Sequence, residues 1–136
     1  MSLINRADIR DVVVEALRGL PAFSQHWVDK WSDDPEDWME QHLASDGGSM
    51  IVSYAGTTTQ EGSEAVPGRQ SAVHVVLFER SEDEGLSSLD ALESEIEGLR
   101  VTVEGRPVRL HFHRDNFIGE QDGFYQYEAQ LRAELL

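Results

Sequence analysis

The sequence predicts an α+β domain with a mostly antiparallel sheet of about five strands and helices packed on one side. Three observations carry this. Near the C-terminus Tyr125, Tyr127, Ala129, Leu131, Ala133 and Leu135 alternate with Gln126, Glu128, Gln130, Arg132 and Glu134, the period of a strand with one face on a core and one in water. Two other stretches place apolar residues at steps of three and four: Ile9, Val12, Val13, Ala16, Leu17 and Leu20, then Leu86, Leu89, Leu92, Ile96 and Leu99. That is the spacing of amphipathic helices. Finally, the elements follow in the order α, α, β, β, α, β, β, β, with helices and strands segregated rather than strictly alternating.

Each element has its own warrant. Asn5 is a helix N-cap with Asp8 three residues on, and Pro21 stops the helix, which is expected over 6–19. Residues 21–34 read as irregular. Asp34-Pro35-Glu36-Asp37 is a helix start with a cap, a proline at the first position and acids in the first turn. This second helix is expected to run to about Leu43, with Asp46-Gly47-Gly48 breaking it. Residues 49–55 (S-M-I-V-S-Y-A) form a strand by β-branched and aromatic content. Residues 56–70 lack apolar periodicity and read as a long connector. Residues 71–79 (S-A-V-H-V-V-L-F-E) are apolar on both faces and predict a central strand covered on both sides. An acidic turn over 80–85 leads to a helix over 86–97, with Gly98 placed as its C-terminal glycine. Val101-Thr102-Val103 is a short strand, Glu104-Gly105 a turn, 108–114 a strand, and 114–125 a connector holding Asp122-Gly123.

A chain of 136 residues is one domain by size, large enough to bury about two thirds of its unfolded surface. Hydrophobic content of 40% suits a sheet with one covered face. No apolar run reaches the roughly 18 residues of a membrane span, and the first residues lack an apolar signal core. With no cysteine, disulfides, thiolate chemistry and cysteine zinc sites are excluded. A reducing or indifferent compartment is expected. The formal net charge is −15, from 26 acids against 11 bases. Such a surface repels phosphate backbones, so a nucleic-acid grip is not expected. Solubility alone accounts for the charge equally well.

The sharpest chemical candidates are His111 and His113. Two apart on a strand, they project from one face, and with Asp115, Glu120 or Asp122 they have metal-ligand chemistry. The plainer reading is that Arg109, His111 and His113 are the polar face opposite Val108, Leu110 and Phe112. His74, inside the apolar strand, reads as a core or interface histidine. The sequence has no nucleophile elbow, P-loop, dinucleotide fingerprint, H-E-x-x-H or EF-hand loop. The acids at 33–37 and 82–84 fit a helix start and a solvated turn. Trp27 and Trp31, four apart, and Trp38 are read as packing beneath the first helix, or otherwise as an interface.

One resemblance adds to this. I-V-S-Y-A-G at 51–56, S-A-V-H-V-V-L-F-E-R at 71–80, the leucine-spaced helix from Leu86 to Leu99 and L-H-F-H-R-D-N-F-I-G-E-Q-D-G-F-Y-Q-Y-E-A at 110–129 resemble the Mu-like phage tail protein family assigned as tail terminators. Arg114, Phe117, Glu120, Asp122, Gly123, Phe124, Tyr125 and Tyr127 are the most specific part. The resemblance implies a non-enzymatic virion tail component, assembled in the host cytoplasm, without cofactor, metal or membrane contact. It further implies a ring of copies, typically six, that ends tail tube growth and meets the tube protein and the head–tail connector. The expected contacts are Thr58, Gln60 and Arg69 from the 56–70 connector, with Arg114, Asn116, Phe117, Glu120 and Phe124 from the 114–125 connector. A metal-binding or hydrolytic domain built on His111 and His113 is the alternative.

Overall fold

The computed structural model describes residues 4–33, 47–59, 69–121 and 123–136, with residues 58, 59 and 69 described by their backbone. Helix α1 spans Arg6–Arg18. Asn5 caps it, its side-chain oxygen accepting from the Ala7 N–H at 2.8 Å. Ile9, Val13, Val14 and Leu17 form its buried stripe. A 3-10 turn follows over Pro21–Phe23, and then strand β1, Trp27–Lys30. Strands β2 (Ser49–Thr59) and β3 (Arg69–Glu79) come next, followed by helix α2 (Glu82–Ile96). Strands β4 (Arg100–Val103), β5 (Arg106–Gln121) and β6 (Phe124–Leu135) complete the chain.

The six strands form one sheet in the order β1-β2-β3-β6-β5-β4. All neighbours pair antiparallel except β1 and β2, which run parallel. β6 lies at the centre, and its alternation sets the sheet's two faces. Tyr127, Ala129, Leu131 and Ala133 are buried against Val73, Val75, Leu77, Val108 and Leu110. Both helices supply this same core, α1 through Ile9, Val13 and Leu17 and α2 through Leu89, Leu92 and Ile96. At Gly85 the helix meets the sheet so closely that a Cβ would lie 2.3 Å from the Tyr127 ring.

The expected sheet of about five mostly antiparallel strands is roughly matched, with six strands among the described residues and one parallel pair. Several expectations need correction. β1, in a stretch read as irregular, is only four residues long and has too little alternation to declare itself. Trp27 and Trp31 accordingly belong to a strand and its exit, not to a helical face, and Trp31 is 55% exposed. The β3 strand is central but buried along its length on one face only, with Phe78 the buried residue of the other. Ala72, His74 and Val76 are half-buried on that second face, where His74 Nδ1 lies 3.8 Å from Glu128 Oε1. α2 begins at Glu82 rather than Leu86. The Ser81 hydroxyl accepts from the Glu84 N–H and three acids occupy the first turn, so the residues read as a turn are the favourable positive end of the helix dipole. The helix expected over 35–43, and with it Trp38, lies outside the described residues.

Neither long connector is wholly a connector. β2 runs to Thr59 and β3 starts at Arg69, and β5 and β6 leave only positions 122 and 123 between them. Residues 114–121, read as part of a connector, remain in the ladder because two bulges, between Phe112 and Arg114 and between Phe117 and Gly119, absorb the broken alternation. Gly123 takes φ +82° in the tight turn, and Glu104-Gly105, at φ 53° and 77°, close the β4–β5 hairpin in the left-handed geometry such loops favour.

Replacing Gly85 by Ala separates local from tertiary preference. Helix propensity alone would favour the change by about 1 kcal/mol. The Tyr127 ring stands in the way, and the variant is expected to lose about 1–3 kcal/mol instead, measured as a lower urea midpoint at unchanged m-value.

Candidate assembly surface

The far half of the β5–β6 hairpin projects beyond the core. Residues 113–118 of β5 are all exposed, Phe117 at 57% and Ile118 at 49%. β6 keeps them extended: Asn116 lies opposite Glu128 and Phe117 opposite Tyr127. The Phe117 ring rests on Tyr127 at 5.3 Å and near Tyr125 at 6.5 Å between centroids. Burial holds the Tyr127 phenol above its ordinary range, with Glu82, Tyr125 and Glu79 adding to the shift. Phe124 turns the other way and lies under the Arg80 guanidinium, 5.5 Å from the ring centroid, a cation–π contact that ties the hairpin to the start of α2.

The expected contact residues therefore fall into two groups. Arg114, Asn116, Phe117 and Glu120 are exposed on β5, and Phe124 is half-buried at its turn. Thr58 pairs with Gln70, and Arg69 with Thr59, on the β2–β3 hairpin, while Gln60 lies outside the described residues. The start of β3 lies beside the end of β6, Gln70 opposite Glu134, whereas Phe124 begins β6, so the two groups occupy opposite ends of the sheet.

His111 and His113 do not converge. His113 sits at the first bulge, and its Nε2 lies 3.0 Å from an Arg132 guanidinium nitrogen. Desolvation, then Arg132 and Arg114, hold its imidazole below the usual pKa, so it stays neutral and accepts from Arg132. His111 instead faces two carboxylates on opposite ring edges, Glu97 at 2.6 Å from Nδ1 and Glu134 at 3.6 Å from Nε2. Glu97 also accepts from the Phe112 N–H at 3.3 Å. Its pKa lies below the usual carboxylate value, chiefly through the His111 hydrogen bond. Among the described residues no group of three or more His, Asp or Glu is arranged to hold a metal ion. A cationic guanidinium beside one imidazole disfavours one further.

Sequence reasoning missed a second polar site. A cleft of about 360 Å³ lies between the β3 end and α2, lined by His26, Gly48, Glu79, Arg80, Asp83 and Ser87 among others. On its wall His26 Nε2 meets Glu79 Oε1 at 2.7 Å, with side chains 11% and 3% exposed. Phe23 packs edge-on to the imidazole at 5.1 Å. At Gly48 a Cβ would fall 2.7 Å from the Glu79 carboxylate. The partners are 53 residues apart, and the one available signal was a glutamate ending an apolar strand. Nucleophilic catalysis needs a hydroxyl bonded to the base, and among the described residues none bonds the other nitrogen, His26 Nδ1. The pair's evident work is to join the β1 approach to β3.

No family model matches the sequence, and no curated protein matches it. Among solved structures, the chain aligns with one from the virion of a native gene transfer agent particle, with a TM-score of 0.61. The alignment covers 93% of both chains at 13% identity. The fold is one found in a virion. At that identity the likeness is one of backbone arrangement, and it extends over most of both chains rather than a shared fragment.

Two substitutions test the site's energetics. Glu79→Ala strands a buried imidazole and is expected to cost about 3–5 kcal/mol in denaturant unfolding at pH 7. Glu97→Gln removes a half-exposed partner and is expected to cost at most about 1 kcal/mol. The depressed Glu97 pKa gives the sign: its contribution is full above the unfolded value near 4.5 and fades as pH falls through the lower folded value. Unfolding curves of wild type and Glu97→Gln should therefore converge on acidification.

Proposed function

We propose that this protein is a structural component of a phage-like particle, a tail terminator-like protein whose copies form a ring that ends tail tube growth and joins tail to head. The observation that carries the reading is the full-length fold likeness to a virion chain. Three features of the chain support it. The hairpin presents Phe117 and Ile118 to solvent at 57% and 49% exposure, an apolar pair that a subunit contact would cover. The described polar clusters are paired internally and lack the hydroxyl, base and orienting acid of a nucleophilic site. The net charge of −15 suits a conduit through which DNA slides without adhering.

On this reading the partners are other copies of the chain, the tail tube protein and the head–tail connector. The binding energy comes from shape and edge complementarity, and no substrate is transformed. The ring requires a head-to-tail contact that closes on itself.

Purified protein, alone or with tube protein, is expected to give ring-sized particles in multi-angle light scattering and annular views in negative stain, and to stop tube elongation. A species that stays monomeric at high concentration and leaves tubes growing would overturn the assignment.

A further inference from the structure

Among the described residues the sheet leaves two strand edges uncovered, and their placement makes them partners for one another. On one side β1 pairs with residues 49–52 of β2, and the Trp31 N–H donates to the Val52 carbonyl. Beyond that point no described strand pairs with β2 on this side. On the other side β4 pairs with residues 106–109 of β5. Leu99 and the Glu97 carboxylate continue the contact to Leu110 and Phe112. Beyond residue 112 no described strand covers β5. From these edges we infer that the free edge of β2 in one copy pairs with the free edge of β5 in the next, so that the sheet runs on from subunit to subunit. This rests on the ring reading above and names the contact that would build it.

Direction, offset and charge all favour a second copy as the occupant. Following the pairings across the sheet, β3 and β5 run opposite to β2, β6 and β4. A second copy in the same orientation therefore sets its β2 antiparallel to the first copy's β5, the pairing that needs no crossover. The free part of each strand is its C-terminal half. In antiparallel strands those halves lie at opposite ends of the sheet, so the neighbour must be displaced along the strand direction by about half a strand. With that offset, β1 of one copy and β4 of the other sit at either end of the joint and do not obstruct it. The bulge-free stretches that meet are 56–59 on β2 and 114–117 on β5.

Exposed edges are ordinarily guarded by charge. The covering strands obey this, with Asp29 and Lys30 on β1 and Arg100 on β4. Residues 53–59 read S-Y-A-G-T-T-T, without one charged side chain in a molecule of net charge −15. An uncharged edge meets the mixed charges of Arg114 and Asp115 without like-charge opposition. Ile118, the residue at the second bulge, and Phe117 lie next to this joint and would be covered by it. The contact is heterologous: each copy gives one edge and receives the other, and the chain of contacts ends only when the ring closes.

The absence of cysteine makes the test direct. Thr57→Cys and Asn116→Cys are prepared singly in the full chain, each screened for normal circular dichroism, then mixed and mildly oxidised. The expected result is a disulfide-linked pair from the mixture and none from either variant alone. A chain carrying both should give a ladder of covalent oligomers ending at the ring size. Rings that form while the mixture stays uncrosslinked, or that crosslink Thr57→Cys to itself, would overturn this contact and leave the ring intact. Failure of the wild type to form rings at all would remove the ring reading and this inference together. As a second arm, Thr57→Lys and Ile118→Lys are expected to give folded monomers with the wild-type melting temperature, and undiminished rings from both would also overturn the contact. Crosslinking of Asn116→Cys to tube protein but never to another copy would assign the β5 edge to a different partner and overturn it as well.

Discussion

Everything in this fold depends on the register of β6. It lies between β3 and β5, and a slip of one residue would send Tyr127, Ala129, Leu131 and Ala133 into water and bring Glu128, Gln130 and Arg132 into the core. Burying such charges unpaired costs far more than a ladder hydrogen bond returns. The register is therefore set by side-chain chemistry. It propagates outward through β3 to β2 and β1 and through β5 to β4, and it fixes which face receives the helices. The bulges on β5 are intelligible in the same terms. The chain inserts two extra residues opposite a partner that will not shift, and the ladder bends to keep β6 in place.

That dependence explains what was legible from sequence. The alternation of β6 and the three-and-four spacing of both helices are strong because each reflects one buried face, and α1, with its Asn5 cap, follows the expected boundaries to within a residue. The hidden parts are those where burial does not dictate pattern. β1 is held by neighbours rather than by its own periodicity: Arg18 donates to the Val28 carbonyl at 2.9 Å and approaches Asp29 at 3.5 Å. The polar end of β5 is a strand because β6 pairs with it, a tertiary demand that residues 114–121 do not announce. The β3 run misled in the opposite sense, since a branched apolar residue such as Val76 is a good strand former even on a half-exposed face.

The candidate surface divides the same way. Arg114, Asn116, Phe117 and Glu120 were singled out by motif, and all four are on the exposed part of the hairpin. Their backbone, though, is extended ladder rather than loop. The paired imidazoles looked like a site because strand spacing places them on one face. A single inserted residue and the intervening guanidinium of Arg132 separate them into two unrelated contacts. The His26–Glu79 pair could not be read from sequence because it joins segments that only the finished sheet brings together.

The parallel pairing of β1 has a kinetic corollary. A hairpin such as β5–β6 closes through a minimal loop, whereas β1 must wait for the chain to travel from Lys30 to Ser49 before its ladder can begin, and loop-closure entropy delays such contacts. The four-residue strand should thus be the last part of the sheet to lock and the first to open. Native-state hydrogen exchange would then find the Trp31 amide, bonded to Val52 at 2.8 Å, trading its proton well before the amides of β6.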